Sequence, residues 1–172
     1  MKKVLILGCP GSGKSTFARK LSKKTELPII YLDQLYWKAD KTTVSEEELM
    51  MRVKTVVKND QWIMDGNYLR TLPLRLPASD TIFFLDYPTQ VCLLGVRARV
   101  GKKRPDMPWI EEKEDPEFIE FIKKFKDTQR PKILKYLQAA QNKNIHVFHS
   151  RNEAIEWLLT YKIEEHKQEN LH

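Results

Sequence analysis

The sequence predicts an α/β fold, a three-layer α/β/α structure with a five-stranded parallel sheet. Five short segments are apolar and rich in β-branched or aromatic residues, and these are the predicted strands: 4–7, 28–33, 62–66, 81–86 and 145–148. Between them, apolar residues recur at the three- and four-residue spacing of amphipathic helices. Strands that alternate with helices in this way form parallel sheets with both faces covered.

The first strand runs directly into a glycine-rich segment, residues 8–16, which fits the phosphate-loop pattern G-x-x-x-x-G-K-S/T. Apolar residues at 17, 18 and 21 predict a helix immediately after it. Strand, glycine loop and helix are together the context that this motif requires. The candidate nucleotide-binding residues are Gly8, Gly11, Ser12, Gly13, Lys14, Ser15 and Thr16.

The residue types of this segment suit the binding of phosphate. Glycines allow successive backbone N–H groups to point inward around an anion, and the helix N-terminus adds partial positive charge. Lys14 can reach the β- and γ-phosphates of a nucleotide, and the Ser15 hydroxyl can bind magnesium. The sequence therefore predicts ATP and Mg²⁺ as cofactors.

Composition places few limits on the function. The 172 residues fit one domain, 1–172, and their formal net charge of +7 suits anionic substrates but also permits nucleic-acid binding. No apolar run approaches the roughly 20 residues of a membrane-spanning helix, so we expect a cytoplasmic protein without a membrane partner. The two cysteines, Cys9 and Cys92, have neither a disulfide framework nor metal-ligand spacing.

The second strand is followed by a predicted loop, residues 34–43. A helix then begins at Ser45, which forms a capping box with Glu48. A connection that contains Pro73 and Pro77 leads from the third strand to the fourth.

The fourth strand is followed by a predicted helix, residues 91–100, and an irregular segment. Asp115 as N-cap and Pro116 in the first turn begin the next helix, which Pro131 interrupts. The predicted apolar face of this helix consists of Phe118, Phe121, Ile122 and Phe125. Ser150 caps a last helix, and the polar chain from Glu164 is predicted to fray.

Three of the predicted strands end in a carboxylate: Asp33, Asp65 (followed by Gly66) and Asp86. Ligands of parallel sheets bind beyond the carboxyl ends of the strands, so we expect these residues around one crevice with the phosphate loop. Asp65 and Asp86 both follow an apolar strand, as a Walker B magnesium ligand does. The sequence leaves open which of them is nearer the metal.

Residues 101–130 form an insert between the fourth and fifth strands, and we interpret this insert as a lid. Four arginines lie at its ends or within it: Arg97, Arg99, Arg104 and Arg130. Cations that contact the transferring group stabilise phosphoryl transfer. Arg99 and Arg130 bracket the insert and are the main candidates for this role.

These features resemble the nucleoside-monophosphate-kinase group of P-loop proteins, which includes adenylate, shikimate and gluconate kinases. The glycine loop resembles that of adenylate kinase, and Asp65-Gly66 resembles the start of its Asp-Gly-Phe-Pro-Arg segment. Arg99 and Arg130 resemble its lid arginines. The resemblance implies a P-loop kinase fold with a helical lid insert at about 101–130.

Three segments are also similar to a narrower bacterial family, the DNA topology modulation or FlaR-type proteins: 32–37, 65–68 and 104–107. The wider resemblance implies that Lys14 stabilises the transferring phosphoryl group and that Ser15 holds magnesium directly. It also implies that Asp65 holds magnesium through water or orients the acceptor. Asp33 would face the acceptor, as the equivalent carboxylate does in shikimate kinase, and the two lid arginines would close over the phosphates.

The chain departs from adenylate kinase after Asp65-Gly66. Asn67 and Tyr68 replace Phe-Pro, and the arginine comes one residue late, at Arg70, with Arg75 as an alternative. The candidate substrate residues are Asp33, Asp65, Gly66 and Arg70. The aromatic residues within 35–37 could line an acceptor pocket or serve only in packing.

We therefore predict an ATP-binding kinase that transfers the γ-phosphoryl group of MgATP to a small acceptor: a nucleotide, a nucleoside or a hydroxylated metabolite. The alternative is a nucleotide-dependent regulatory or DNA-binding P-loop protein that affects DNA topology. A lid with flanking arginines favours the kinase over nucleic-acid binding, because a lid excludes water during transfer. The sequence is compatible with a monomer or a dimer.

Overall fold

The computed structural model describes residues 1–140 and 142–161. It contains a five-stranded sheet in which every pairing is parallel, with the strand order β2-β3-β1-β4-β5. The strands are β1 (Lys3–Gly8), β2 (Ile29–Tyr31), β3 (Trp62–Asp65), β4 (Thr81–Leu85) and β5 (Asn144–Phe148). The predicted five-stranded parallel sheet is confirmed. The polar chain from Glu164 lies outside the described residues.

Helices connect the strands. They are α1 (Lys14–Thr25), α2 (Leu32–Tyr36), α3 (Glu46–Val56), α4 (Leu72–Ala78), α5 (Thr89–Arg97), α6 (Pro116–Thr128), α7 (Arg130–Ala139) and α8 (Arg151–Thr160). A single 3₁₀ turn, Leu69–Thr71, precedes α4. Every residue of β3 and β4 is buried, and because successive side chains of a strand point to opposite faces, both faces of the sheet are covered.

Three helices begin at the caps that the sequence predicts. The side chain of Ser45 accepts a hydrogen bond from the Glu48 N–H at 3.1 Å, and that of Ser150 accepts from the Glu153 N–H at 3.2 Å. Asp115 accepts from the backbone N–H two residues later at 2.9 Å. Each cap satisfies an N–H that has no partner inside its helix.

Two connections between strands differ from the prediction. The second strand ends at Tyr31, and residues predicted as strand and loop form α2, so Asp33 lies in the first turn of a helix. The connection that contains Pro73 and Pro77 is α4. Pro73 is tolerated because it lies in the first turn, where the N–H has no helical partner. Pro77 has no N–H to donate to the Pro73 carbonyl, and the helix ends one residue later, at Ala78.

The predicted lid consists of an irregular segment followed by α6. The preceding helix α5 ends at Arg97, three residues earlier than predicted. The buried face of α6 is Ile119, Ile122 and Phe125, whereas Phe121 is 40% exposed. In the part of the chain that the structure describes, no helix is long and apolar enough to cross a membrane.

The phosphate loop packs directly on α5 through two glycines. A Cβ atom built on Gly95 would lie 2.0 Å from the carbonyl oxygen of Gly11, and one on Gly11 would lie 2.0 Å from the carbonyl oxygen of Cys92. Gly11 also has a φ of 82°, which L side chains rarely adopt. The position of the loop therefore depends on the absence of side chains at both glycines.

We predict that Gly95→Ala destabilises the protein although alanine is the better helix former. The added methyl group would meet backbone, and such overpacking costs about 1–3 kcal/mol. The free energy of unfolding, measured in urea, should fall accordingly. Leu94→Ala, at a side chain that is 62% exposed on the same helix, is the control. A Gly95→Ala protein as stable as this control would contradict the packing described.

Candidate active site

The phosphate loop curls tightly between β1 and α1. Gly13 is the residue before α1 and has a φ of 95°, and the Ser12 N–H donates to the Cys9 carbonyl at 3.1 Å. The Ser12 hydroxyl is buried and has no hydrogen-bond partner among the described residues. This is an orphaned polar atom of the kind that a bound phosphate oxygen would satisfy.

Lys14 lies over this loop. Its Nζ donates to the carbonyl oxygens of Gly8 at 3.0 Å and of Cys9 at 3.2 Å. The ammonium group therefore sits beside the glycine loop at the edge of the main cleft, where the phosphates of a nucleotide are expected.

Ser15 and Asp65 meet at the carboxyl end of the sheet. The Ser15 hydroxyl donates a hydrogen bond to Asp65 Oδ2, while Asp65 Oδ1 is buried without a partner among the described residues. Burial raises the pKa of Asp65 to about 6, although Lys14 and the Ser15 hydroxyl act in the opposite direction. A hydroxyl and a carboxylate next to a phosphate site are the oxygen ligands that magnesium prefers, so this pair fits a nucleotide-bound Mg²⁺.

Asp86, the other Walker B candidate, has a different partner. Arg130 forms two parallel hydrogen bonds to it, from Nε and Nη2, each at 2.8 Å. His149 Nδ1 lies 3.6 Å from the same carboxylate. Arg130 and Asp86 line a second cavity of about 400 Å³ and not the main cleft, so of the two carboxylates it is Asp65 that lies at the phosphate site.

Asp33 also lies on the main cleft, on α2. The Tyr68 hydroxyl donates to Asp33 Oδ1 at 2.6 Å. Burial raises the pKa of Asp33, and the hydrogen bond from Tyr68 and the charge of Lys14 act in the opposite direction. A carboxylate held in this way can accept a proton or orient a hydroxyl group.

The segment after Asp65 is attached to the phosphate loop through Asn67. Its Oδ1 accepts from the Gly8 N–H at 3.0 Å, and its Nδ2 donates to the Gly8 carbonyl at 2.7 Å. In the sequence, Asn67 stands out as a departure from adenylate kinase and as part of the segment 65–68, but not as a residue that holds the loop. The signal for this role is the residue type, because an amide side chain can accept from the N–H and donate to the carbonyl of the same residue.

Neither arginine of this region contacts the cleft. Arg75 is completely buried and donates to the Gly66 carbonyl at 3.1 Å and the Thr71 hydroxyl at 2.8 Å, so it braces the segment from behind. Arg70 lies on the surface, where it pairs with Glu46 and is 77% exposed. Gly66 lines the cleft, but Arg70 does not.

The arginines of the lid region form a network with two acidic residues. Arg99 donates to Glu111 at 2.8 Å, and Arg104 donates to Asp106 at 2.8 Å and lies 3.5 Å from Glu111. Arg19 of α1 reaches the same Asp106 at 3.5 Å. The sequence indicates Arg99 and Arg104 but not their acidic partners, because acidic residues in an irregular segment normally face solvent.

The main cleft has a volume of about 1480 Å³. Sites for one small ligand are usually about 300–1,000 Å³, so this cleft has room for a nucleotide and a second molecule. The phosphate loop lies on its wall, together with Asp33, Asp65 and the lid arginines Arg99 and Arg104. The predicted site residues line this cleft, with the exceptions of Gly8, Arg70 and Arg130. Gly8 lies behind the loop, where its carbonyl accepts from Lys14.

Part of the chain is similar to part of adenylate kinase. Over 47 residues it is 45% identical to the adenylate kinase of Rickettsia akari and 43% identical to that of Rickettsia rickettsii. These residues are 27% of this chain, and the match spans only 22% of the length of the two curated relatives. No protein-family model matches the chain.

Solved kinase structures share the fold along almost the whole chain. The shikimate kinase of Bacteroides thetaiotaomicron has a TM-score of 0.57 and 17% identity, covering 92% of this chain and 94% of its own. A sugar kinase from Janibacter gives 0.53 and 13%, covering 94% of both chains. The deoxyadenosine kinase of M. mycoides with bound dCTP gives 0.50 and 17%, covering 91% and 96%. At these identities the likeness establishes the fold, which is the predicted P-loop kinase fold.

We predict that Asp65→Asn stabilises the ligand-free protein at neutral pH. Burial raises the pKa of Asp65 from 3.8 to about 6, so ionisation of this carboxyl opposes folding. Its unfavourable contribution grows as the pH rises from about 4 to about 6, and removing it should add about 1–3 kcal/mol to the free energy of unfolding at pH 7.5.

The measurement is urea unfolding in EDTA at several pH values. The gain should shrink towards zero below about pH 4, and the exposed Asp60→Asn should change stability by less than about 0.5 kcal/mol at any pH. A gain for Asp65→Asn that persists at low pH would contradict the assignment of the effect to the buried charge.

Proposed function

We propose that this protein is a kinase that transfers the γ-phosphoryl group of MgATP to a hydroxyl group of a small acceptor. The observation that carries the proposal is the contact of Ser15 with the buried Asp65, beside Lys14 and within one cleft that also contains Asp33. This set provides a phosphate site, a magnesium site and a proton acceptor. The shared fold with solved kinases supports it.

The phosphate loop would hold the nucleotide. Backbone N–H groups of the glycine loop and the Lys14 ammonium would surround the β- and γ-phosphates, and Ser12 Oγ would gain a partner. Ser15 would hold Mg²⁺ directly and Asp65 directly or through water. The ion would supply positive charge to the oxygens of the transferring group.

Asp33 would act on the acceptor. The acceptor hydroxyl oxygen forms a bond to the γ-phosphorus, and the bond from phosphorus to the β,γ-bridging oxygen breaks, so that ADP leaves with the electron pair. The hydroxyl proton passes to the Asp33 carboxylate, which the Tyr68 hydroxyl orients. Positioning and electrostatic stabilisation are the main contributions that a protein makes to this reaction.

Arg99 and Arg104 are our candidates for the lid arginines. Both lie on the cleft and are mostly buried, with 19% and 16% of their side chains exposed. Phosphate oxygens compete well with carboxylates for guanidinium groups, so bound nucleotide would draw these arginines away from Glu111 and Asp106. Arg130 was predicted for the same role, but its pairing with Asp86 favours a role in positioning β4 and the turn after it.

A regulatory, DNA-binding protein is the alternative, and two observations favour it: the net charge of +7 and the resemblance to DNA topology modulation proteins. It predicts DNA binding that weakens steeply with salt, because contacts with phosphates release counterions. The kinase predicts ADP formation that depends on an acceptor.

The experiment is ADP release from MgATP in the presence of nucleosides, nucleoside monophosphates and small hydroxylated metabolites. At least one compound should raise the rate about a hundredfold over background hydrolysis, which is about 2.7 kcal/mol of barrier. Lys14→Ala should abolish this stimulated rate, because the transferring group loses the nearest mobile cation. No stimulation by any compound, together with salt-sensitive DNA binding, would favour the alternative.

We also predict that Asp33→Asn retains MgATP binding but loses at least about a hundredfold in turnover, the typical contribution of a general base. Asparagine preserves the shape and can still accept from Tyr68, but it takes no proton. Isothermal titration with ATP and the acceptor-stimulated rate are the two measurements.

Tyr68→Phe is the matched control for this prediction. It leaves the carboxylate in place but removes a hydrogen bond that lowers the Asp33 pKa. Turnover should therefore persist, and the acidic limb of its pH–rate profile should shift to higher pH. If Asp33→Asn abolished ATP binding instead, Asp33 would belong to the nucleotide site.

A further inference from the structure

Four aromatic rings form a continuous chain at the end of the cleft that contains Asp33. Tyr36 packs edge-on against Trp37 and Tyr68, with ring centroids 5.5 and 5.2 Å apart, and Trp37 packs edge-on against Trp109 of the lid at 5.5 Å. Asp33 is joined to this chain by the Tyr68 hydroxyl. The chain of rings therefore runs from a candidate proton acceptor to the lid.

These rings are not fully enclosed in the core. Tyr36 and Tyr68 pack against a small apolar cluster between α2 and α3, but all four rings are only half-buried and line the main cleft. By contrast, the sheet residues Phe83 and Phe84 are completely buried. The indole N–H of Trp109 has no hydrogen-bond acceptor among the described residues, so a ligand oxygen or ring nitrogen could provide one after a small lid movement. Partly exposed aromatic rings can stack on planar rings.

The basic groups at this end are already paired with carboxylates. Arg104 is held between Asp106 and Glu111, and Arg19 faces Asp106. Lys41, which lies over the Trp109 ring, is 3.7 Å from Glu112. Asp33 adds a further carboxylate. Arg70, which occupies nearly the sequence position of the adenylate kinase arginine, points away to Glu46 at the surface. A phosphate group on the acceptor would meet acidic side chains here at a cost in electrostatic energy.

We propose that the acceptor is an uncharged alcohol that carries a planar ring, of the nucleoside class, and that it binds among Tyr36, Trp37, Tyr68 and Trp109. The ring of the acceptor stacks on the aromatic side chains, and its hydroxyl group faces Asp33. The Asp33 carboxylate lines the same cleft as Lys14, and the charges of these two residues interact. This inference rests on the proposed kinase activity for its catalytic consequence, but the ring site itself can be measured without turnover.

The experiment compares four nucleosides (adenosine, guanosine, cytidine and thymidine) with their 5′-monophosphates, with inositol as an alcohol that has no planar ring. Binding is measured by isothermal titration and phosphoryl transfer by ADP release. At least one nucleoside should bind about tenfold more tightly than its monophosphate and should be the better acceptor.

Trp109→Leu is the decisive variant. Loss of one stacking partner should raise the KM and the dissociation constant for the nucleoside about tenfold, while the MgATP dissociation constant stays within about twofold. Met51→Ala, at an exposed apolar residue of α3 outside the cleft, is the control and should change neither value by more than about twofold.

The outcomes separate this inference from the kinase proposal. A nucleoside that binds in a Trp109-dependent way supports the ring site, whether or not it is phosphorylated. If a monophosphate or inositol is the better ligand and its phosphorylation depends on Lys14, the kinase proposal stands and the ring-acceptor inference is overturned. If no nucleoside binds, or if Trp109→Leu leaves nucleoside binding unchanged, the ring site is overturned.

Discussion

The central position of β1 is the constraint on which the site depends. In the parallel register, Ile6 pairs with Asp65 of β3 and Gly8 pairs with Leu85 of β4, so the residues that follow all three strands meet at one edge. The loop after β1 is thereby placed next to Asp65, and the helix α1 that follows brings Ser15 onto it. Tight packing of the loop on α5 then fixes where the loop lies relative to that helix.

Asp65 and Asp86 show that similar sequence patterns acquire different chemistry from their neighbours. Asp65 ends β3 and Asp86 follows β4, and both strands pair with β1. Asp65 is buried next to a hydroxyl and a lysine, and one of its oxygens has no partner among the described residues, whereas Asp86 has both oxygens bonded to Arg130. A carboxylate that is already satisfied by a bidentate arginine has little capacity left for a metal ion.

The sequence was sufficient for the sheet and the phosphate loop, because alternating apolar segments and a local glycine motif are encoded by neighbouring residues. It was insufficient where distant segments meet. The hydrogen bonds of Asn67 to Gly8 span 59 positions, and the Arg130 pair with Asp86 spans 44. The residue type of an aromatic side chain in a predicted loop, such as Trp37, also does not distinguish a side chain that lines the cleft from one that packs in the core.

The irregular segment between α5 and α6 explains why a basic protein can have a cleft with balanced charge. The formal net charge of the protein is +7, yet this segment, the predicted lid, provides Asp106 and Glu111 as partners for Arg99 and Arg104. Buried guanidinium groups need such partners, since an unpaired buried charge is strongly unfavourable. A nucleotide phosphate could replace these carboxylates as the partner of each arginine, because guanidinium groups bind carboxylate and phosphate in the same bidentate geometry. A nucleotide that drew both arginines away would leave Glu111 without them and Asp106 with Arg19 alone. These acidic groups near the aromatic end of the cleft would repel an acceptor that carried its own phosphate.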